Sequence, residues 1–240
     1  TLMPRKISPP LSELGNLRTP LTEGEQKVFE LFHAKLPESW EIYLQPHMNG
    51  LRPDFVLLNP AVGIAVFEVK DWILDGSIEY FVETERTGPV LKARDKRTGE
   101  IWRAKENPVQ KTQAYRSEIF ELYCPRLSST ARRKGVAVVS GGVIFTKAPE
   151  SEVSKLFRVF MPGTNASPYF TLTGRESVEQ GDLETIFPTS KRPRSSYMQP
   201  RLAEDLRCWL VEPEVSAEQR RPFRLTSRQN QLATERTESG

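Results

Sequence analysis

The sequence predicts an α/β fold in which a mixed central sheet is flanked by helices. Two apolar runs, residues 54–58 and 62–70, are separated by Asn59-Pro60, and proline cannot continue a strand ladder. The second run is apolar at odd and even positions alike, as expected for a central strand covered on both faces. Helix signals stand on either side of these runs, at Thr22 and at Asn107-Pro108.

The composition is that of an ordinary globular protein with one substantial domain and additional segments. The chain has 240 residues, of which 38% are hydrophobic and 27% charged. Its net charge of +3 is too small for overall basicity to indicate nucleic-acid binding. Cys124 and Cys208 are far apart and form neither a disulfide framework nor a zinc motif, so we expect a cytoplasmic location. No apolar run reaches the roughly 18 residues of a membrane span.

The region before the two runs is expected to hold an arm, a helix and a strand. Residues 1–20 contain four prolines and little periodicity, which indicates an irregular arm. Thr22 and Glu25 have the spacing of a capping box, and Pro37 ends the helix that follows. Apolar residues line one side of that helix (Val28, Leu31, Phe32 and Leu36) and alternate in the strand after it (Trp40, Ile42 and Leu44).

The region after the two runs is expected to contain a meander of exposed strands, a second helix and the last core strand or pair of strands. Gly141-Gly142 lacks the spacing of a phosphate loop, and we interpret it as a bend between strand segments 136–139 and 143–146. The remaining elements expected in the domain are the meander at 78–102, helices near 153–160 and 175–186, and a strand near 169–173.

Three ionisable residues lie at the ends of the two buried runs: Asp54, Glu68 and Lys70. Because side chains alternate along a strand, Glu68 and Lys70 point to the same face. Burying such groups is unfavourable unless they bind a metal or one another. The alternative is an exposed strand end with a surface ion pair, worth about 0–1 kcal/mol. The pattern alone leaves both interpretations open.

The residue types at these positions fit the hydrolysis of a phosphodiester. Two carboxylates are suitable ligands for Mg²⁺, which also takes waters and a phosphate oxygen. Such a metal lowers the pKa of a bound water and neutralises charge that develops on phosphorus. The ammonium group of Lys70 can hold the attacking hydroxide or the phosphorane oxygens.

The Asp…Glu-x-Lys arrangement resembles the PD-(D/E)XK nuclease superfamily, and the surrounding sequence is similar to the nuclease-related domain, NERD. The similar segments lie in the family's order between about residues 20 and 125: Gly24-Glu25, Pro53-Asp54, residues 65–72, and Asn107-Pro108 followed by glutamines. The resemblance implies a restriction-endonuclease-like fold and metal-dependent cleavage of DNA. It implies that Asp54, Glu68 and the Val69 carbonyl bind Mg²⁺ or Mn²⁺, and that Lys70 acts on the hydroxide.

The same resemblance implies further site residues on the two helices. Glu25 is either the helix cap or an acidic residue close to the metal, and the two roles are compatible. RecB-like relatives place a glutamine and a tyrosine of the second helix near the DNA. We prefer Gln113 as that glutamine, because Gln110 already has a capping role. The second helix carries four candidates for contacts with nucleic acid: Gln110, Lys111, Tyr115 and Arg116.

The composition changes at Pro188. Residues 188–221 are basic and rich in proline and serine, and we interpret them as a linker with a short helix after the domain at 21–187. In the last segment, 222–240, residues 222–229 resemble the Q motif of UvrD/Rep-like superfamily-one helicases, in which a glutamine, here Gln229, contacts adenine. The alternative for this segment is an ordinary tail. The chain has no phosphate loop, so we expect no ATP hydrolysis by it. The resemblance implies a nuclease domain that precedes a helicase motor in a longer chain.

Two other functions stay open at this stage. The first is a catalytically silent nucleic-acid-binding module that loads or steers the fused helicase. The presence of Asp54, Glu68 and Lys70 together favours the nuclease over this alternative. The second is a protein-interaction domain, which predicts no salt-sensitive binding to DNA.

Overall fold

The computed structural model describes residues 4–17, 19–48, 50–123, 138–163 and 168–211. The expected fold class is confirmed, because these residues form a six-stranded mixed sheet, a three-stranded antiparallel sheet and flanking helices. Among the described residues, no helix is long and apolar enough to cross a membrane.

Nine strands form the two sheets in the described part of the chain. In chain order they are β1 (Ile7–Ser8), β2 (Glu41–Leu44), β3 (Phe55–Asn59), β4 (Gly63–Lys70), β5 (Ile78–Glu85), β6 (Gly88–Asp95), β7 (Ile101–Arg103), β8 (Val139–Phe145) and β9 (Phe170–Thr173). The larger sheet has the order β1-β2-β3-β4-β8-β9, and the smaller one the order β5-β6-β7. Strand β3 pairs antiparallel with β2 and β4, whereas β1–β2, β4–β8 and β8–β9 are parallel pairs.

Six α-helices accompany the two sheets in the described part of the chain. They are α1 (Glu23–Lys35), α2 (Pro108–Glu118), α3 (Glu150–Phe157), α4 (Arg175–Glu179), α5 (Leu183–Ile186) and α6 (Pro200–Leu210). The capping box of α1 is confirmed, since Thr22 Oγ1 accepts from the Glu25 N–H and Glu25 Oε2 accepts from the Thr22 N–H. Asn107 caps α2 by accepting from the N–H groups of Val109 and Gln110.

The two faces of the larger sheet are both covered, as the apolar pattern of β4 predicts. On one face, Phe55 and Phe67 of β3 and β4 belong to a core that includes Phe32 of α1. On the other face, Val56 and Val66 pack in a core with residues of α2 and α6. Side chains alternate along each strand, so the residue before Phe55 and the residue after Phe67 continue the α2 face. Those two residues are Asp54 and Glu68.

The described part of the N-terminal arm differs from the irregular segment that we expected. Ile7 pairs with Ile42 in the parallel β1–β2 ladder, and Leu11–Asn16 form a 3₁₀ helix. The side chain of Arg5 donates to the carbonyls of Phe32 and Leu36 at 3.2 and 2.7 Å. These carbonyls lie at the end of α1, where backbone acceptors lack partners within the helix. The arm is therefore fixed by contacts with the backbone of β2 and of the end of α1. Its proline content alone does not predict these contacts.

The expected bend at Gly141-Gly142 is wrong, because both glycines lie inside the continuous strand β8. A Cβ atom on Gly141 would lie 2.4 Å from the Val66 carbonyl oxygen, and one on Gly142 would lie 2.4 Å from Thr171 Oγ1. Glycine is needed here because neighbouring strands approach closely. Residues 136 and 137 of the expected upstream segment lie outside the described residues.

Residues 175–186, expected as one helix, form α4 and α5 instead. Gly181 separates them with a φ of +62°, a left-handed conformation that glycine adopts without strain. Asp182 then caps α5 by accepting from the Thr185 N–H. The helical periodicity is therefore interrupted by a stop signal and a new start signal that lie next to each other.

The expected C-terminal helix is confirmed as α6, which packs on the α2 face of the sheet. Its buried residues Leu202, Leu206 and Leu210 join the core that contains Val56. The guanidinium group of Arg207 donates to both carboxylate oxygens of Glu41 on β2. Residues 212–240, which include Gln229 and the expected Q motif, lie outside the described residues. The domain boundary at 188 stays a prediction.

Candidate active site

Asp54 and Glu68 lie side by side at one end of the β3–β4 ladder. Phe55 is paired with Phe67, so the next positions on the two antiparallel strands are Asp54 and Glu68. Asp54 Oδ2 accepts a hydrogen bond from the main-chain N–H of Val69 at 2.8 Å. The aspartate is thereby fixed against the strand that carries the glutamate.

Two ammonium groups meet on one oxygen of Glu68. Lys70 Nζ donates to Glu68 Oε1 at 2.8 Å, and Lys111 Nζ donates to the same oxygen at 2.6 Å. Lys70 comes from β4 and Lys111 from the first turns of α2, so the site joins the sheet to the helix above it. The predicted association of Glu68 and Lys70 on one face is confirmed.

Glu106 is a fourth charged residue of this cluster, and the sequence reasoning missed it. Its Oε1 lies 2.7 Å from Lys70 Nζ, and its Oε2 lies 3.4 Å from Lys111 Nζ. Glu106 directly precedes the Asn107 cap of α2. A signal was present, because the resemblance places this helix at the site and acidic residues are favourable at helix N-termini.

The Asp54 carboxyl is electrostatically disfavoured in its charged form. Burial and the nearby negative charge of Glu68 raise the pKa of Asp54 to about 8, although the Val69 hydrogen bond acts in the opposite direction. A proton on Asp54, or a cation between the two carboxyl groups, would remove the repulsion between them.

Glu68 has one satisfied and one open oxygen. Its side chain is 1% exposed, and its Oε1 accepts from both lysines. Within the described residues, the buried Oε2 has no hydrogen-bond partner. A buried carboxylate oxygen without a donor is uncommon, because losing its hydration is unfavourable by about 1–3 kcal/mol.

The lysines are held in their charged form. Burial alone would lower the pKa of Lys70 and of Lys111, but the carboxylates of Glu68 and Glu106 outweigh burial and raise both pKa values. Tyr115, one turn after Lys111, has its ring centroid 5.7 Å from Lys111 Nζ. The pKa of the Tyr115 hydroxyl is raised by burial and by the charge of Glu68.

The donor set fits a divalent cation held by two carboxylates. Asp54 and Glu68 are adjacent, one is destabilised by the charge of the other, and Glu68 Oε2 is open. Mg²⁺ is commonly bound through one or two carboxylates together with waters and substrate phosphate oxygens. Over the described ranges, no cluster of three His, Cys, Asp or Glu side chains is arranged to hold a metal by itself. The remaining ligands would have to come from water, main chain or substrate.

Glu25 and Val69 border the carboxylate pair in different ways. The Glu25 carboxylate caps α1, and its negative charge contributes to the raised pKa of Asp54. The N–H of Val69 binds Asp54, whereas the role of its carbonyl as a metal ligand stays a prediction. The cap interpretation of Glu25 is confirmed, and its proposed action near a metal is a separate prediction.

Position 24, at the start of α1, requires a glycine because Asp71 lies against it. Its N–H donates to Asp71 Oδ2 at 3.1 Å, and a Cβ atom added to Gly24 would lie 1.8 Å from Asp71 Oδ1. Asp71 follows Lys70 directly, so the start of α1 is fixed to the end of β4. This contact keeps Glu25 close to the carboxylate pair.

The α2 candidates divide between two sides of the helix. Lys111 and Tyr115 are one turn apart and face Glu68. Gln113 lies about 200° around the helix from Lys111, and its amide donates to the Phe160 carbonyl at 2.7 Å. Arg116 donates to the Val139 carbonyl and lies over the Phe170 ring, while the backbone N–H of Gln110 binds the Asn107 cap and its side chain is exposed.

The structure therefore brings together Asp54, Glu68, Lys70 and Lys111, with Glu25 and Tyr115 at their border. It does not bring Gln113 or Arg116 into this group. Burial lowers the pKa of Arg116 to about 10. Its guanidinium group donates to the Val139 carbonyl between the helix and the sheet. The sequence analysis preferred Gln113 because Gln110 already has a capping role, whereas the register of α2 presents Lys111 to Glu68.

Comparison of the chain with protein-family models, with curated proteins and with solved structures gives no match.

Proposed function

We propose that this chain carries a metal-dependent nuclease domain that hydrolyses DNA phosphodiester bonds. The observation that carries the proposal is the adjacent Asp54–Glu68 pair, in which Glu68 is buried, with Lys70 Nζ 2.8 Å from Glu68 Oε1. Two adjacent carboxylates attract a divalent cation, and an ammonium group beside them attracts an anionic oxygen. The resemblance to NERD and the PD-(D/E)XK superfamily supports the same chemistry.

The residues of the site have distinct roles in this proposal. Asp54 and Glu68 would hold Mg²⁺ or Mn²⁺, with the Val69 carbonyl as a further ligand. When bound, the cation lowers the pKa of a water and neutralises charge at phosphorus. Lys70 stabilises the hydroxide or the negative oxygens of the phosphate through its ammonium group. Glu25, at the start of α1, adds a further negative charge close to this pair.

The proposal also includes the substrate, the location and the partner domain of the nuclease. Its substrate is DNA, its location is the cytoplasm, and a helicase motor follows it in a longer chain. The support for the motor is the resemblance of residues 222–240 to a Q motif with Gln229. Lys111, whose partly exposed side chain lies beside Glu68, is the candidate for contact with the DNA backbone, and the buried Tyr115 packs next to it.

Cleavage assays with and without Mg²⁺ or Mn²⁺ test the proposal on single- and double-stranded DNA. Asp54→Asn and Lys70→Ala are each expected to lower the cleavage rate by about 100-fold or more. Asp205→Asn and Lys155→Ala change exposed residues of α6 and α3 and serve as matched controls. Cleavage that persists in Asp54→Asn, or that needs no divalent cation, would contradict the proposal.

A catalytically silent module that binds nucleic acid is the second candidate function. The observation that favours it is that both ammonium groups already neutralise Glu68 Oε1. Salt-sensitive DNA binding without any metal-dependent cleavage is the result expected for this module.

A further inference from the structure

Glu68 and three charged neighbours, Lys70, Lys111 and Glu106, form an alternating cluster rather than separate ion pairs. Lys70 lies between Glu68 and Glu106, at 2.8 and 2.7 Å. Lys111 lies between the same carboxylates, at 2.6 and 3.4 Å. Each ammonium group therefore has an inner and an outer anion.

The cluster has a clear direction from the core to solvent. Side-chain exposure rises from 1% for Glu68 to 15% for Lys70, 31% for Lys111 and 36% for Glu106. Glu106 is thus the outermost of the two carboxylates. Of the two carboxylates that both lysines contact, Glu106 is therefore the one that an anion from solvent can replace.

Glu106 is held less tightly than Glu68. Both lysines donate hydrogen bonds of good geometry to Glu68 Oε1. Glu106 Oε1 lies 2.7 Å from Lys70 Nζ, but its other oxygen is 3.4 Å from Lys111 Nζ, and its side chain is 36% exposed. Glu106 also lies on a connection between β7 and α2, where a side chain can turn outward without disturbing a helix or strand.

We propose that Lys70 and Lys111 form a phosphate subsite, and that Glu106 occupies this subsite as an internal anion until a phosphate group of nucleic acid displaces it. A phosphate group carries several acceptor oxygens, so it can accept from two ammonium groups at once. The adjacent N-terminus of α2 also favours an anion at this position. The identification of the phosphate as one belonging to DNA rests on the proposed function.

Displacement of Glu106 makes anion binding an exchange rather than an addition. The free energy gained from the phosphate is reduced by the free energy lost when Glu106 leaves the lysines. A ligand that engages only one lysine gains too little to complete the exchange. Glu106 therefore opposes binding by weak or misplaced anions, and its removal is expected to strengthen phosphate binding.

The test measures DNA binding in EDTA, so that neither metal loading nor cleavage contributes to the result. A short fluorescein-labelled single-stranded DNA is titrated with wild type and with Glu106→Gln, and anisotropy gives Kd. We expect Glu106→Gln to bind about three- to tenfold more tightly, the size expected for one partly exposed charge. Glu100→Gln removes an exposed carboxylate before β7 and controls for the overall change in charge; we expect its Kd to change less than about twofold.

A double-mutant cycle shows whether the gain comes from the subsite. In a Lys111→Gln background, Glu106→Gln is expected to lose most of its effect on Kd, because the two residues share the same contacts. Thermal unfolding of each variant confirms that it is folded. Competition by inorganic phosphate, expected to depend on Lys111, separates recognition of the phosphate group from recognition of other parts of the DNA.

The outcomes separate this inference from the proposed nuclease. An unchanged or weaker Kd for Glu106→Gln, an equal gain for Glu100→Gln, or a gain that persists without Lys111 overturns the phosphate subsite. A Lys111-dependent gain in a protein that never cleaves DNA supports the subsite and contradicts the nuclease. Cleavage of DNA by a protein in which Glu106→Gln gives no gain in binding supports the nuclease and contradicts the phosphate subsite.

Discussion

Asp54 accepts a hydrogen bond from the backbone N–H of Val69, and this contact fixes its carboxyl group beside Glu68. The N–H of Val69 lies just beyond the last β3–β4 pair, Phe55 with Phe67, where the backbone ladder no longer provides a partner. The aspartate side chain therefore extends the ladder by one bond. The same bond places a second carboxylate where burial and charge oppose its ionisation.

The stability of the metal-free protein is expected to fall as pH rises from about 4 to about 8. The pKa of Asp54 is raised to about 8 by burial and by Glu68, above the ordinary value of 3.8. Between these values the folded state binds more protons than the unfolded state, so the free energy of unfolding decreases as pH rises. Urea unfolding in EDTA across this range measures the effect.

The control for this pH dependence is Asp54→Asn, which removes the titrating group and retains an oxygen that can accept from Val69. We expect the variant to be more stable than wild type near pH 9 by about 1–3 kcal/mol. Equal pH slopes for the two proteins would show that Asp54 is not the group responsible. Addition of Mg²⁺ is expected to flatten the wild-type slope, because a bound cation also neutralises the pair.

Glu68→Gln is expected to change stability in the opposite direction from Asp54→Asn. Glu68 is the shared partner of Lys70 and Lys111, so its neutralisation leaves two partly buried ammonium groups with Glu106 alone. Removing one partner of such a cluster destabilises by about 1–3 kcal/mol when the remaining charges keep some contact with water. Urea unfolding at pH 7 in EDTA measures the change. A stabilised Glu68→Gln would mean that the lysines do not depend on this carboxylate.

Strand periodicity predicted the central part of this site, and helix register limited what else could be predicted. The alternation that places Glu68 and Lys70 on one face follows from two residues per strand repeat, and it is confirmed. The preference for Gln113 over Gln110 did not include the rotation of α2 against the sheet, which presents Lys111 to Glu68. That rotation is set by tertiary packing of Val109, Thr112 and Tyr115, which spacing alone does not supply.

Glu106 and the glycines of β8 were missed for a different reason. Glu106 precedes the cap of α2 in a stretch without periodicity, so its local signal is only that acidic residues are favourable at helix N-termini. Its contacts with the two lysines depend on the fold. Gly141-Gly142 has the composition of a turn, yet the close approach of Val66 and Thr171 requires it within a strand. Local sequence signals do not encode how near another strand lies.

Gly141→Ala is expected to destabilise the fold by about 1–3 kcal/mol, because the added methyl group meets backbone. Its Cβ would lie 2.4 Å from the Val66 carbonyl oxygen, and this oxygen belongs to the central strand β4. Gly15→Ala is the matched control, since the described surroundings place no atom within 4 Å of its Cβ. Urea unfolding of both variants measures the difference. Equal stability of the two would contradict the close packing of β8 against β4.

The Glu41–Arg207 pair is expected to fix α6 on the sheet. Arg207 donates to both oxygens of Glu41, at 3.0 and 3.1 Å from Nε, and Tyr43 donates to the same carboxylate at 2.6 Å. Arg207→Ala leaves the buried Glu41 carboxylate with a weakened set of donors, so we expect a loss of about 1–3 kcal/mol. Arg201→Ala, an exposed residue of α6, is the control. Hydrogen exchange of the α6 amides locates the effect: faster exchange confined to α6 and β2 is expected, whereas unchanged protection in Arg207→Ala would show that apolar packing of Leu202 and Leu206 alone holds the helix.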